Sequence, residues 1–142
     1  YVPLEITESA IDSDKKIRAM VEKFADHGFK LHLDDFGSGY SSLATLNELP
    51  FDVVKLDKSL IDYIKEPKGW FLVEKISEFC RNYDMHITAE GVEDLEQAKL
   101  LQTKIHEADI YLPVDDIQGY VYSKPVPKCE FEKMLREHKM VM

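Results

Sequence analysis

Apolar residues along this chain follow two alternating rhythms. Short runs at residues 2–7, 29–34, 52–56, 85–89 and 117–121 are rich in β-branched and apolar side chains and read as strands. Between them the apolar positions widen to helical spacing. Ile17, Met20, Val21 and Phe24 form one stripe, opened by Asp12 or Ser13 as a cap and ended at Gly28. A short helix begins at Ser41 or Ser42 and stops at Leu49-Pro50. Helical sequence covers 58–64, breaks at Glu66-Pro67-Lys68-Gly69 and resumes over 70–83, with Phe71, Val73, Ile76 and Phe79 on its apolar side. Residues 95–105, carrying Ala98, Leu101 and Ile105, and residues 128–139 supply the last two helices.

Strand and helix in strict alternation imply a parallel α/β sheet with covering helices. The apolar runs at Ile6 and Val53-Val54 predict strands buried on both faces. No linker divides the chain, and 142 residues make one domain with a real core. Hydrophobic content of 44% with 32% charged residues describes a globular protein.

The net charge of −9, without a long basic run, argues against a nucleic-acid polymer as partner. A small anionic substrate fits if bound metal offsets the local acidity. No apolar run approaches the ~20 residues of a membrane span. Cys80 and Cys129 stand far apart and read as free thiols in a reducing cytoplasm. The chain opens at Tyr1 and enters strand-like sequence at once, which predicts a processed product or a piece of a longer polypeptide.

Chemistry concentrates where strands end. Glu5, Asp34-Asp35, Lys55, Glu90 and Gln118 fall within or at the C-terminal ends of successive strands, the rim where parallel α/β folds bind ligands. Internal salt bridges such as Lys55 with Asp57 account for some of these residues but not all. The most telling junction is His32-Leu33-Asp34-Asp35-Phe36-Gly37-Ser38-Gly39. Two adjacent carboxylates beside a core are costly to desolvate unless something compensates them, and a hard divalent cation would. Adjacent strand residues point to opposite faces, so both acids reach one site only if the backbone bends at Asp35, with Gly37 and Gly39 permitting positive φ. An ordinary strand–turn–helix junction with Asp35 as a cap fits the same letters.

Other chemistries lack their patterns. The histidines show no paired-ligand spacing, and no P-loop, dinucleotide fingerprint or nucleophilic triad is present. A phospho-acceptor receiver would use Asp34-Asp35, Asp57 and Lys124-Pro125, but one strand–helix step separates Asp35 from Asp57 where two are needed.

Leu4-Glu5-Ile6-Thr7-Glu8, the stretch from Asp34 through Gly39 to Leu43, Val54-Lys55-Leu56-Asp57, Ala89-Glu90-Gly91-Val92-Glu93 and Gln118-Gly119-Tyr120 occur in the order of the EAL family. The chain therefore resembles the bacterial cyclic di-GMP phosphodiesterase domains with a (β/α)8 barrel-like fold. The resemblance covers nearly the whole chain, residues 1–142, as the C-terminal portion of such a domain. It implies Glu5, Asp34 and Asp35 as metal ligands in a two-metal Mg2+ or Mn2+ site. Lys55 and Glu90 would hold or activate the attacking water, Gln118 would orient substrate or water, and Glu8 would steady the Asp-Asp-Phe-Gly loop.

The chain departs from the family in two ways. A full barrel takes about 250 residues and eight strands, whereas about five βα units are legible here and no Glu-Ala-Leu triplet is present. The metal site would be incomplete, so hydrolysis by this chain alone is expected to be weak or absent. Association with another copy, or with the missing N-terminal half of the barrel, is expected to cover the exposed edge. A catalytically inactive EAL-like module binding cyclic di-GMP or a protein is the alternative. The second departure is the long interval between Glu90 and Gln118, where 106–116 exceed an ordinary connection and Ile110-Tyr111-Leu112 make a candidate contact patch.

Overall fold

A computed structural model of the chain describes residues 3–13, 15–39, 43–103 and 113–137. The expected helix start at Ser41-Ser42, Ile105, and the Ile110-Tyr111-Leu112 patch lie outside the described residues. The order is β1 (Leu4–Thr7), α1 (Glu8–Ser13), α2 (Lys15–Asp26), β2 (Leu31–Phe36), α3 (Leu43–Glu48), β3 (Val53–Leu56), α4 (Lys58–Ile61), α5 (Pro67–Asn82), β4 (His86–Ala89), α6 (Leu95–Leu101), β5 (Asp116–Ile117) and α7 (Lys128–Arg136). The five strands form one sheet in the order β1-β2-β3-β4-β5, and every neighbouring pair is parallel. This is the α/β alternation expected from the sequence.

The sheet is buried on one face only, which corrects the expectation of two. Leu31, Leu33, Val54, Leu56, Ile87 and Ala89 are fully buried and join Val21, Leu46, Val73, Ile76 and Leu101 of the helices in a single core. The opposite face carries Glu5, His32, Val53, Lys55, His86 and Thr88, which line an open trough of about 960 Å³. Strand geometry explains the difference. Val53 and Val54 are consecutive, so the pleat sends them to opposite faces: Val54 enters the core while Val53 stays half-buried in the trough.

Several boundaries move for local reasons. Ser13 does not open a helix; its hydroxyl donates back to the Ala10 carbonyl at 2.8 Å, closing α1. Met20 is exposed, while Val21 takes the core position. Pro67 begins α5 rather than breaking a helix, because a first-turn N–H needs no helical partner. Phe71, expected on the apolar side, instead faces solvent, with the Lys75 ammonium 5.7 Å from its ring centre. Asp94 caps α6 through the backbone N–H groups of Glu96 and Gln97, while the Gln97 side chain accepts from the Asp94 N–H. β5 is two residues rather than the expected five: beyond Ile117 the chain turns, and Val92 N–H donates to the Gln118 carbonyl at 3.2 Å. Gly119 lies so close to the Val92 backbone there that no Cβ would fit. Cys80 is buried and Cys129 exposed, both as free thiols.

Candidate functional site

Parallel pairing delivers the polar strand ends to one rim. β1 brings Glu5, β2 brings Asp34 and Asp35, and β3 brings Lys55; Glu90 directly follows β4 and Gln118 directly follows β5. Lys55 is the centre of the group. Its Nζ lies 2.8 Å from Glu90 Oε1, 3.0 Å from Asp34 Oδ1 and 3.4 Å from Glu5 Oε1, with only 12% of the side chain exposed. Burial alone would lower the Lys55 pKa, but hydrogen bonds and charge from Glu90 and Asp34 outweigh it and raise the value. The lysine is therefore a fixed cation.

Asp34, Asp35 and Glu90 each offer a carboxylate oxygen, and the three oxygens lie within 4.8 Å of one another. All three residues are half-buried. Two consecutive strand residues share this site because β2 bulges. Leu33 pairs with Val54 and Phe36 with Leu56, so Asp34 and Asp35 together stand opposite the single residue Lys55. Asp35 adopts φ +56°, a left-handed conformation that aspartate tolerates better than most residues. The bend thus sits at Asp35, as the sequence requires. Gly37 follows with φ +98°, but Gly39 is not in the left-handed region, contrary to the expectation for both glycines. Asp35 lies inside β2, which does not support the reading of Asp35 as a helix cap.

The loop after the bulge is anchored by its peptide groups. Gly37 N–H donates to Glu8 Oε2 at 3.4 Å, and Glu8 is a buried acid, 4% exposed, at the start of α1. The Gly37 carbonyl accepts from the Ser59 hydroxyl at 3.1 Å. Gln118 is exposed, its N–H bound to the Ala89 carbonyl at 2.8 Å. It lines the trough and also a second cavity of about 650 Å³ shared with Tyr120, Lys124 and Phe131.

All seven residues singled out from the sequence therefore fall at or beside this rim, and Glu5 joins the three-carboxylate group through Lys55 rather than as a member of it. Sequence reasoning missed His32, whose Nδ1 is 4.0 Å from Glu5 Oε1, and Thr88 in the trough floor. A period-two count would have found both, since His32 stands two residues before Asp34 in β2 and Thr88 two residues before Glu90, which follows β4. It also passed over Ser59, for which no sequence signal pointed to the loop.

A one-sided parallel sheet, with strand-end carboxylates gathered about a lysine and spaced as hard-cation donors, defines a barrel-type α/β protein with an acidic ligand rim. The EAL domain family model matches residues 2–125, and the chain belongs to that family. It is 35% identical over 143 residues to the cyclic di-GMP phosphodiesterase PdeR of Escherichia coli strain K12, covering 97% of this chain and 20% of that protein. Among solved structures, the EAL enzyme Bd1971 in its cAMP- and cyclic di-GMP-bound form is similar with a TM-score of 0.78 and 30% identity, over 94% of this chain and 34% of that one. The manganese and cyclic di-GMP complex of Klebsiella pneumoniae BlrP1 gives a TM-score of 0.71 at 30% identity, over 85% of this chain and 29% of that one. These neighbours are TIM-barrel-like, and this chain spans about a fifth to a third of these three proteins.

Proposed function

We propose that this chain carries the strand-end acids, lysine and amide of a cyclic di-GMP phosphodiesterase, acting as part of a complete EAL domain. The observation that carries the reading is Lys55 held between Asp34 and Glu90, with Asp35 brought to the same spot by the bulge. Relatives named as cyclic di-GMP phosphodiesterases, and structural neighbours holding manganese with the dinucleotide, give that geometry its chemistry. Three clustered carboxylates are the right donor set for Mg2+ or Mn2+: Asp34 and Asp35 would hold the metal with Glu5 beside them, and Glu90 would stand at the metal's edge. When bound, such ions supply an acidified water and neutralise charge on the phosphodiester.

The protein groups do the remaining work. In hydrolysis the water oxygen bonds to phosphorus, the P–O3′ bond breaks, and the proton the water gives up is replaced on the departing O3′ by one from solvent, leaving a 3′-hydroxyl and a 5′-phosphate in linear pGpG. Glu90 is placed to accept a proton from that water or to fix its direction. Lys55 offsets the repulsion between Asp34 and Glu90 by standing between them, and its positive charge faces the phosphate as negative charge develops. Gln118, at the mouth of two cavities, orients the substrate through its amide. Glu8 steadies the loop after Asp35 through Gly37. We place the domain in the cytoplasm; no helix among the described residues is long and apolar enough to cross a membrane.

The test is hydrolysis of cyclic di-GMP with Mg2+ or Mn2+, followed as pGpG by chromatography, first with the chain alone and then with the upstream part of an EAL domain added. Little or no turnover alone and turnover on complementation supports a part of an enzyme. A second reading is a catalytically inactive module that binds the dinucleotide or a protein, a reading supported by a structural neighbour solved in its cyclic di-GMP-bound form. Dinucleotide binding without turnover in both arms would establish that module and overturn the enzyme reading.

A further inference from the structure

We infer that Ser59 is a second positioning residue for the carboxylate loop, acting on the side opposite Glu8; the functional weight of this inference rests on the metal-site reading above. The Gly37 peptide groups are held from both neighbouring strands. Glu8, just after β1, takes the N–H, and Ser59, just after β3, donates its hydroxyl to the carbonyl. Ser59 is itself placed by Asp57, whose Oδ1 accepts the Ser59 N–H at 2.9 Å and whose own N–H reaches the Phe36 carbonyl at 2.9 Å. Leu60 then packs over Gly37 so closely that a Cβ there would overlap it. The first turn of α4 is thus a seat for the loop.

Such a seat has a purpose in the backbone of Asp35. A non-glycine residue at φ +56° sits in a sparsely populated region and holds there only if its surroundings over-determine it. Ser38 N–H donates to the Asp35 carbonyl at 3.1 Å, so the turn from 35 to 38 moves as one piece. With the hydroxyl bond to the Gly37 carbonyl lost, that turn is held less firmly on the α4 side and can shift, carrying the Asp35 carboxylate away from Asp34 and Glu90. Ser59 touches none of the three acids; its influence runs through the backbone.

The experiment compares the full chain with Ser59→Ala and Ser59→Thr. Amide hydrogen exchange over residues 36–38 is measured without metal, with exchange in β4 as the control for an intact fold. Mn2+ affinity is measured separately by the electron paramagnetic resonance of the free ion. Ser59→Ala is expected to speed exchange over 36–38 and weaken Mn2+ binding by roughly three- to tenfold, the span of one hydrogen bond's net worth, with β4 unchanged. Ser59→Thr, which keeps the hydroxyl, is expected to restore both. Wild-type exchange and affinity in Ser59→Ala would overturn the inference, as would faster exchange with undiminished Mn2+ affinity. A wild-type chain that binds no Mn2+ at all, while Ser59→Ala still speeds exchange, would instead sink the metal reading and leave Ser59 a loop anchor only.

Discussion

Lys55 is a cation that three acids share, and removing it leaves Glu5, Asp34 and Glu90 facing each other without compensation. Lys55→Met is expected to lower stability by about 2 kcal/mol in metal-free buffer at neutral pH, less than for a fully buried pair because Glu5 is half exposed. Urea unfolding measures it, and added Mn2+ should recover part of the loss if the acids gather a cation. The pH dependence has a definite sign. Because the folded Lys55 pKa is raised, its stabilising contribution is full below the unfolded value of about 10.4 and is lost only as pH climbs through the higher folded value. The two thiols separate just as sharply. Burial pushes Cys80 up to about 12, whereas Cys129 is exposed. A disulfide-exchange reagent at pH 8 should therefore modify Cys129 quickly and Cys80 only after denaturant is added.

At the level of elements, the strands are tied at both ends by different devices. At their amino ends, an acid just before the next strand takes a backbone N–H: Asp52 Oδ2 accepts from Leu31 at 3.0 Å and Asp115 Oδ2 from Ile87 at 2.8 Å. Burial would raise the Asp52 pKa, but the bonds from Lys30 and the Leu31 N–H outweigh it and lower the value. Its contribution is thus present above the unfolded value of about 3.9 and disappears as pH falls through the folded one. Asp52→Asn should flatten stability between pH 5 and pH 3, by urea titration at each pH, as an expectation of about 1 kcal/mol or less given the partly exposed pair. At the carboxyl ends the bulge and the tight turn do the tying. Gly37→Ala meets both a positive φ and the Leu60 side chain, so it should cost about 1–3 kcal/mol in thermal unfolding and weaken Mn2+ binding with it. Sequence periodicity located β2 and its two acids. It could not show that the bulge falls between Leu33 and Phe36, since register is a property of two paired strands rather than of one.

The whole molecule is a sheet with one finished face. Helices cover Leu31, Leu33, Val54, Leu56, Ile87 and Ala89, while His32, Val53, His86 and Thr88 form the floor of an open trough. Apolar side chains also lie outside the core, among them Tyr63, Phe71 and Leu72. We expect the chain to associate, with itself or with the remainder of an EAL barrel, and light scattering at micromolar concentration checks this: a monodisperse, stable monomer would contradict it. The amino-acid order by itself determined the βα alternation, the parallel sheet, the family and the identity of the rim acids, lysine and amide. Those follow from periodicity and motif, which are local. Only the tertiary structure decided that Asp34 and Asp35 share one site, that Lys55 stands among three carboxylates, that Gly37 is gripped from two sides and that one sheet face is open. Each of these depends on which strand lies beside which and in what register, and residues far apart in the chain carry no local mark of the neighbour they will meet.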